Sequence, residues 1–181
     1  RDPAAKPNLI DLSLAYTASL KTPDLLSAGN NVFEELPMGI HTLGQTEFDI
    51  RGIIYGGRAY DNRSSVSSIP VNLRCRAMHF LQSAAYAGWG GNEGARVGRY
   101  VVRYADQQTQ EIPILFGKHV RDWFYYETQP VEVSEAPMVW VGLNERVRRG
   151  GGFVRLYTMS WTNPFPDLEI NARAQLSILE A

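Results

Sequence analysis

The stretch GRYVVRYADQQTQEIPILFGKHVRDW, residues 98–123, decides the fold. Tyr100, Val102 and Tyr104 fall on one face of an extended chain, and the other face carries Arg99, Val101 and Arg103. This is the two-residue period of a half-buried β-strand. A polar turn at residues 105–109 leads into a return strand at residues 111–116. The stretch therefore predicts a β-hairpin, and it places the aromatic-rich residues 121–126 in the following loop, where ligands are usually bound.

The rest of the chain shows short strand patterns separated by turns, with little helical periodicity. Glycine- and asparagine-rich loops are predicted at residues 56–68, 88–98 and 144–152. Short strands with frequent turns are typical of a sandwich or jelly roll, so we expect an all-β fold of two antiparallel sheets. The predicted strands are residues 48–55, 71–84, 99–105, 111–116, 137–142, 153–161, 168–170 and 174–179.

Composition limits the classes of function. The chain has 181 residues and a formal net charge of −1, so no global field attracts nucleic acid, and no apolar run is long enough to predict a membrane span. The length suits one domain, assigned to residues 8–181 after a linker at residues 1–7. Because the chain begins at Arg1 rather than Met, we expect a processed protein or part of a longer one. The single cysteine leaves the compartment open, and an extracellular or periplasmic location is favoured.

A set of short segments shares the strand-and-turn pattern of a known family. They are IDLS (10–13), EFDIRGI (47–53), IPV (69–71), MHFL (78–81), VGRYVV (97–102), YAD (104–106), EIPI (111–114), VRDW (120–123), WVGLN (140–144), RLY (155–157), WTNP (161–164) and PD (166–167). Together they resemble the galactose-binding-like, jelly-roll β-sandwich domains of multidomain environmental-bacterial proteins. The resemblance implies a jelly-roll sandwich, often a carbohydrate-binding module. The chain departs from this pattern at one hairpin turn: the turn that resembles an Asp-Gly turn in the family is Asp106-Gln107 in this sequence.

Two aromatic-rich loops are the candidate ligand-binding surface. Residues 121–126, RDWFYY, combine four rings with a cation and a carboxylate, and residues 86–94 place a tryptophan among glycines. Flat rings cover the C–H patches of sugars, while arginine, aspartate and asparagine hold the hydroxyl groups. If the two loops meet at one end of the sandwich, the predicted ligand-binding residues are Trp89, Asn92, Arg121, Trp123, Tyr125 and Tyr126.

Strand alternation refines this hypothesis. If a strand continues through residues 121–126, Trp123 and Tyr125 share one face, and Phe124 and Tyr126 share the other. Trp123 and Tyr125 are then expected to face outward, with Phe124 in the core. The alternative is that these rings close the sandwich and that Arg121 and Asp122 form a local ion pair. The glycine-rich loop would then be a lid over the end of the core.

Other chemistry-bearing residues favour structural roles. Cys75, the single cysteine, is expected to be a buried, inert thiol that shares a strand face with Leu73 and Ala77. The three histidines are far apart in the sequence, and the mid-strand His79 is expected in the core.

No catalytic or cofactor motif is visible, so no catalytic residue, metal ligand or cofactor is assigned. A structural calcium held by backbone carbonyls and one aspartate would leave no motif. We therefore expect a non-catalytic binding module for carbohydrate, attached to a larger bacterial protein. The alternative is a protein–protein interaction or sensory accessory domain of the same fold, and a hydrolase is the third possibility.

Overall fold

The structure is a computed structural model that describes residues 3–22, 32–55, 65–85, 87, 93–171 and 174–178, with the backbone alone at residues 65–68 and 174–178. Strand accounts for 41% and helix for 4%, and the strand pairs within the sheets are antiparallel. The expected all-β class is therefore confirmed. Among the described residues, no helix has both the length and the apolar character needed to cross a membrane.

The described elements are ten strands and one short helix, which lies between the eighth and ninth strands. They are β1 (Gly39–Leu43), β2 (Thr46–Ile50), β3 (Ser65–Ile69), β4 (Ala77–Gln82), β5 (Arg96–Arg103), β6 (Thr109–Leu115), β7 (Phe124–Tyr125), β8 (Met138–Gly142), α1 (Glu145–Gly150), β9 (Phe153–Thr162) and β10 (Ala174–Ile178).

These strands form three sheets among the described residues. Two have four strands each: one in the order β3-β10-β5-β6, the other with β9 paired with β4 and β7 along one edge and with β8 along the opposite edge. The third is the β1–β2 hairpin. The two larger sheets share one core, in which Val102 and Ile112 of the first sheet join Tyr157 and Met159 of the second.

Strand β9 is buried on both faces. Its residues from Val154 to Met159 are all buried, which is why its sequence shows no clean alternation. Tyr157 contributes to the core shared by the two large sheets. Val154 and Leu156 contribute to a second cluster, formed with the β1–β2 hairpin and with Val147 of α1.

The predicted hairpin is the β5–β6 pair, with Arg99 opposite Pro113 and Arg103 opposite Thr109. Its turn keeps the geometry of a glycine-containing turn without the glycine. Gln107 has a φ of 73°, in the left-handed region that glycine favours, and its amide donates to the Tyr104 carbonyl at 3.0 Å.

The predicted loop at residues 144–152 is wrong, because it contains α1. The Asn144 side chain caps this helix by accepting from the Val147 amide at 3.0 Å, and Glu145 adds a favourable charge in the first turn. The flanking glycines concealed this start signal.

Local patterns also misplaced several strands. Strand β3 overlaps a predicted loop, β4 is shorter than its predicted range, and of residues 168–170 only Ile170 forms a bridge, to Leu73 and Tyr104. Strand β3 pairs with β10, far away in the sequence, so its pairing was not visible in the local pattern.

Two structural expectations need correction. Cys75 is half-buried and precedes β4, and Ala77 is exposed, so the shared strand face is wrong; burial nevertheless raises the pKa of the Cys75 thiol. His79 is exposed, because alternation in β4 turns Met78 inward. Its Nδ1 lies 2.8 Å from Ser160 Oγ.

Candidate functional site

The two candidate loops meet at their described ends. The Glu93 carboxylate lies 2.8 Å from a terminal nitrogen of Arg121, and the Ala87 amide donates to Asp122 Oδ1 at 2.7 Å. Trp89 and Asn92 lie outside the described residues.

Arg121 serves the structure of this junction. Its Nε donates to the Glu132 carbonyl at 2.8 Å, and its guanidinium lies 5.3 Å from the centre of the Phe116 ring. Only 13% of the side chain is exposed. Together with the ion pair to Glu93, these contacts occupy two nitrogens and one face of the guanidinium. Little of it is therefore accessible to a ligand.

Trp123 was expected to face outward, but its ring packs toward the interior. Its amide donates to the Ala84 carbonyl at 2.8 Å, one residue before β7 begins. Its ring packs against the second cluster, with its centroid 5.2 Å from that of Phe33. Because the chain bends at Trp123, this residue leaves the alternation that β7 imposes.

Tyr125 also faces inward, and only 6% of it is exposed. The guanidinium of Arg155 lies 4.2 Å from the centre of its ring, and the Phe153 ring lies at 5.6 Å. Burial raises the pKa of the Tyr125 hydroxyl, and nearby Arg155 opposes that shift.

Arg155 is an interior cation that sequence reasoning missed. It is 2% exposed, and it donates to the carbonyls of Asp122 at 2.8 Å and Pro130 at 2.9 Å. Its other neighbour is the ring of Tyr157 at 5.5 Å. Burial lowers the pKa of Arg155 and raises that of Tyr157 to about 12. A charged residue within the apolar run FVRLY was the available signal for this site.

The opposite side of β7 is open. Phe124 and Tyr126 lie together there, as alternation predicts for this pair, with ring centroids 5.3 Å apart and planes at 81°. Tyr126 is 48% exposed. Phe124 is half-buried and packs against the second cluster, so its expected core position is correct only in part.

A groove of about 340 Å³ runs beside these two rings and opens to solvent. It is lined by Phe124, Tyr126, Arg146, Arg149 and Gly150. The Arg146 guanidinium lies 6.0 Å from the centre of the Phe124 ring. Sequence reasoning missed both arginines, because it assigned residues 144–152 to a glycine- and asparagine-rich loop without a function.

Two sets of contacts hold α1 beside the groove. The Asn144 side chain donates to the Val32 carbonyl at 2.9 Å while it caps the helix. Val147 is buried in the second cluster. The helix is therefore attached through a polar and an apolar contact at its start.

An ion-pair clamp attaches the outer side of α1. Arg148 pairs with Glu34 at 2.8 Å and with Glu35 at 2.5 Å. Glu35 also accepts from the Leu143 amide at 2.7 Å. That backbone hydrogen bond, followed by the one from Arg148, lowers the pKa of Glu35.

The described residues contain no group of three or more histidine, cysteine, aspartate or glutamate side chains placed to bind a metal ion. His119 lies beside Glu135, with 3.3 Å between Nε2 and Oε2, and Lys118 pairs with the same carboxylate at 3.0 Å. His119 Nδ1 accepts from the Leu115 amide at 3.1 Å, so the neutral ring carries its proton on Nε2. The pair joins two loops.

No family model, no curated protein and no solved structure matches this chain. The resemblance to galactose-binding-like domains therefore stays a prediction, and the case for a function depends on the geometry of the groove.

Proposed function

We propose that this chain is a non-catalytic module that binds carbohydrate in the groove between β7 and α1. The observation that carries the proposal is an exposed aromatic ring, Tyr126, beside a second ring and two guanidinium groups in one groove. A jelly-roll, galactose-binding-like sandwich attached to a larger bacterial protein is part of the same proposal.

The chemistry of the groove supports a sugar ligand. The apolar face of a pyranose packs on an aromatic ring, and its hydroxyl groups accept hydrogen bonds from guanidinium groups. The Phe124 and Tyr126 rings offer the first kind of contact, and Arg146 and Arg149 offer the second. The volume of the groove lies at the lower end of the range of roughly 300–1,000 Å³ found for small-molecule sites.

The groove is also preorganised. Phe124 is fixed by pairing with Val154 of β9, and Tyr126 is held at its amide, which donates to Gln129 Oε1 at 2.8 Å. A site that is already in its bound geometry loses less conformational entropy on binding.

The proposal changes the set of ligand-binding residues. Tyr126 remains from the sequence-based set, while Phe124, Arg146 and Arg149 are added from the groove. Arg121, Trp123 and Tyr125 are engaged within the protein. The platform proposed from sequence is thus replaced by a smaller site on the other side of β7.

The test is a glycan-array screen of the intact chain, followed by calorimetry with the glycans that bind. Tyr126→Ala should weaken binding roughly tenfold to a hundredfold, by analogy with stacking on nucleic-acid bases. Tyr126→Phe is the matched control, because it keeps the ring and should retain most of the affinity. Normal binding by Tyr126→Ala would exclude this groove, and an array with no bound glycan would favour the interaction-domain alternative.

The non-catalytic part of the proposal has its own test. Incubation of the bound glycan with the chain should release no shorter product. Product release that Asp122→Asn or Glu127→Gln abolishes would instead support a hydrolase.

A further inference from the structure

Arg146 differs from the other arginines of α1 in its surroundings. Among the described residues no carboxylate pairs with it, and its guanidinium lies 6.0 Å from the centre of the Phe124 ring. Arg148 pairs with Glu34 and Glu35, and Arg149 pairs with Glu145. The charge of Arg146 is therefore the least compensated one on this helix.

The groove itself has a positive lining. Its described walls contain two arginines and no acidic side chain. Arg149 does form an ion pair with Glu145, one helical turn away, but 74% of the Arg149 side chain is exposed. Exposed pairs of this kind are among the weakest in proteins, so an incoming anion can replace Glu145 at little cost.

We infer that the groove is selective for a negatively charged saccharide, either a uronic acid or a sulfated sugar, and that Arg146 binds its charged group. The inference rests on the proposed carbohydrate-binding function. A guanidinium matches a carboxylate or a sulfate through two parallel N–H···O hydrogen bonds. The Phe124 ring lies 6.0 Å from the Arg146 guanidinium, at the outer limit of a cation–π contact, so the exposed guanidinium keeps its N–H groups accessible to a ligand.

Three matched probes test this inference by calorimetry: cellotriose, the same trisaccharide with carboxylates at its C6 positions, and the same trisaccharide with 6-O-sulfates. They share ring shape and length and differ only in the charged group. A preference between the last two identifies whether a carboxylate or a sulfate is the better ligand.

Two variants complete the design. Arg146→Met keeps a long apolar stem over Phe124 and a good helix former in α1, but it removes the charge. Arg103→Met removes one positive charge from β5, in the other large sheet, and serves as the matched control for net charge.

We expect at least one charged probe to bind about tenfold or more tightly than cellotriose. Arg146→Met should weaken the binding of the charged probes much more than that of cellotriose, so that the difference between them disappears, while Arg103→Met should bind like the parent chain. Equal affinity for charged and neutral probes, or an equal loss in both variants, would overturn the inference. If a neutral glycan binds in a Tyr126-dependent way without preference for charge, only the inference fails. If neither these probes nor the array yields a ligand, the proposed function fails with it.

Discussion

The two faces of β7 use the same pair of groups in opposite ways. On one face, Arg155 lies over the Tyr125 ring and donates to two backbone carbonyls in the interior. On the other, Arg146 lies over the Phe124 ring at the edge of an open groove. The two rings are neighbours in β7. An arginine–aromatic pair is therefore structural where hydrogen-bond acceptors surround it and available to a ligand where they do not.

The strongest test of this comparison replaces each arginine by methionine. Arg155→Met leaves the carbonyls of Asp122 and Pro130 without their donors, and it should lower the free energy of unfolding by about 2–4 kcal/mol. Arg146→Met should change it by less than about 0.5 kcal/mol. Urea denaturation measures both. Similar values for the two variants would remove the distinction between the two faces.

A pair of glycines provides the second test. Gly152 has a φ of 102°, and a Cβ there would lie 2.6 Å from the Tyr125 carbonyl oxygen, so Gly152→Ala should cost on the order of 1–3 kcal/mol. Gly150 lies in α1 and has no atom within 4 Å of a built Cβ. Gly150→Ala should therefore be neutral or slightly stabilising. Thermal unfolding of both variants checks this, and a tolerated Gly152→Ala would mean that β7 can move away from β9.

The third test compares two tyrosine hydroxyls. The Tyr157 hydroxyl donates to the Val131 carbonyl at 2.9 Å, so Tyr157→Phe should cost about 1 kcal/mol in unfolding free energy. Tyr126→Phe, on the groove side, should leave stability unchanged. Chemical denaturation distinguishes the two outcomes, and no loss in Tyr157→Phe would show that this hydrogen bond adds nothing to the attachment of the loop.

The smallest effect is expected at the clamp on α1. Because the pKa of Glu35 is lowered in the folded chain, its stabilising effect is present at neutral pH and is lost as the pH falls through the folded-state value. Glu35→Gln should lower Tm by at most about 2 °C at pH 7, and the difference from the parent should disappear in acid. The exposed Glu169→Gln is the control. A Glu35→Gln effect that grows in acid would contradict this assignment.

Much of the local geometry was predictable from the sequence. The alternation in residues 99–104 predicted the β5–β6 hairpin, and the same period placed Phe124 and Tyr126 on one side of β7. Both follow from the two-residue repeat of an extended backbone. The start of α1 was also encoded, in the Asn144 cap and the Glu145 that follows it, although the surrounding glycines were given more weight.

The direction in which each ring faces was not predictable, because it depends on distant parts of the chain. Tyr125 is buried since Arg155 and Phe153 cover it, and Trp123 is half-buried since Phe33 packs against it. The groove arises only where α1 lies beside β7 and brings arginines next to the rings. The sequence by itself determined the strand period, the helix cap and the residue types. Only the tertiary structure decided which side of β7 meets solvent, because burial is set by contacts between segments that no local pattern records.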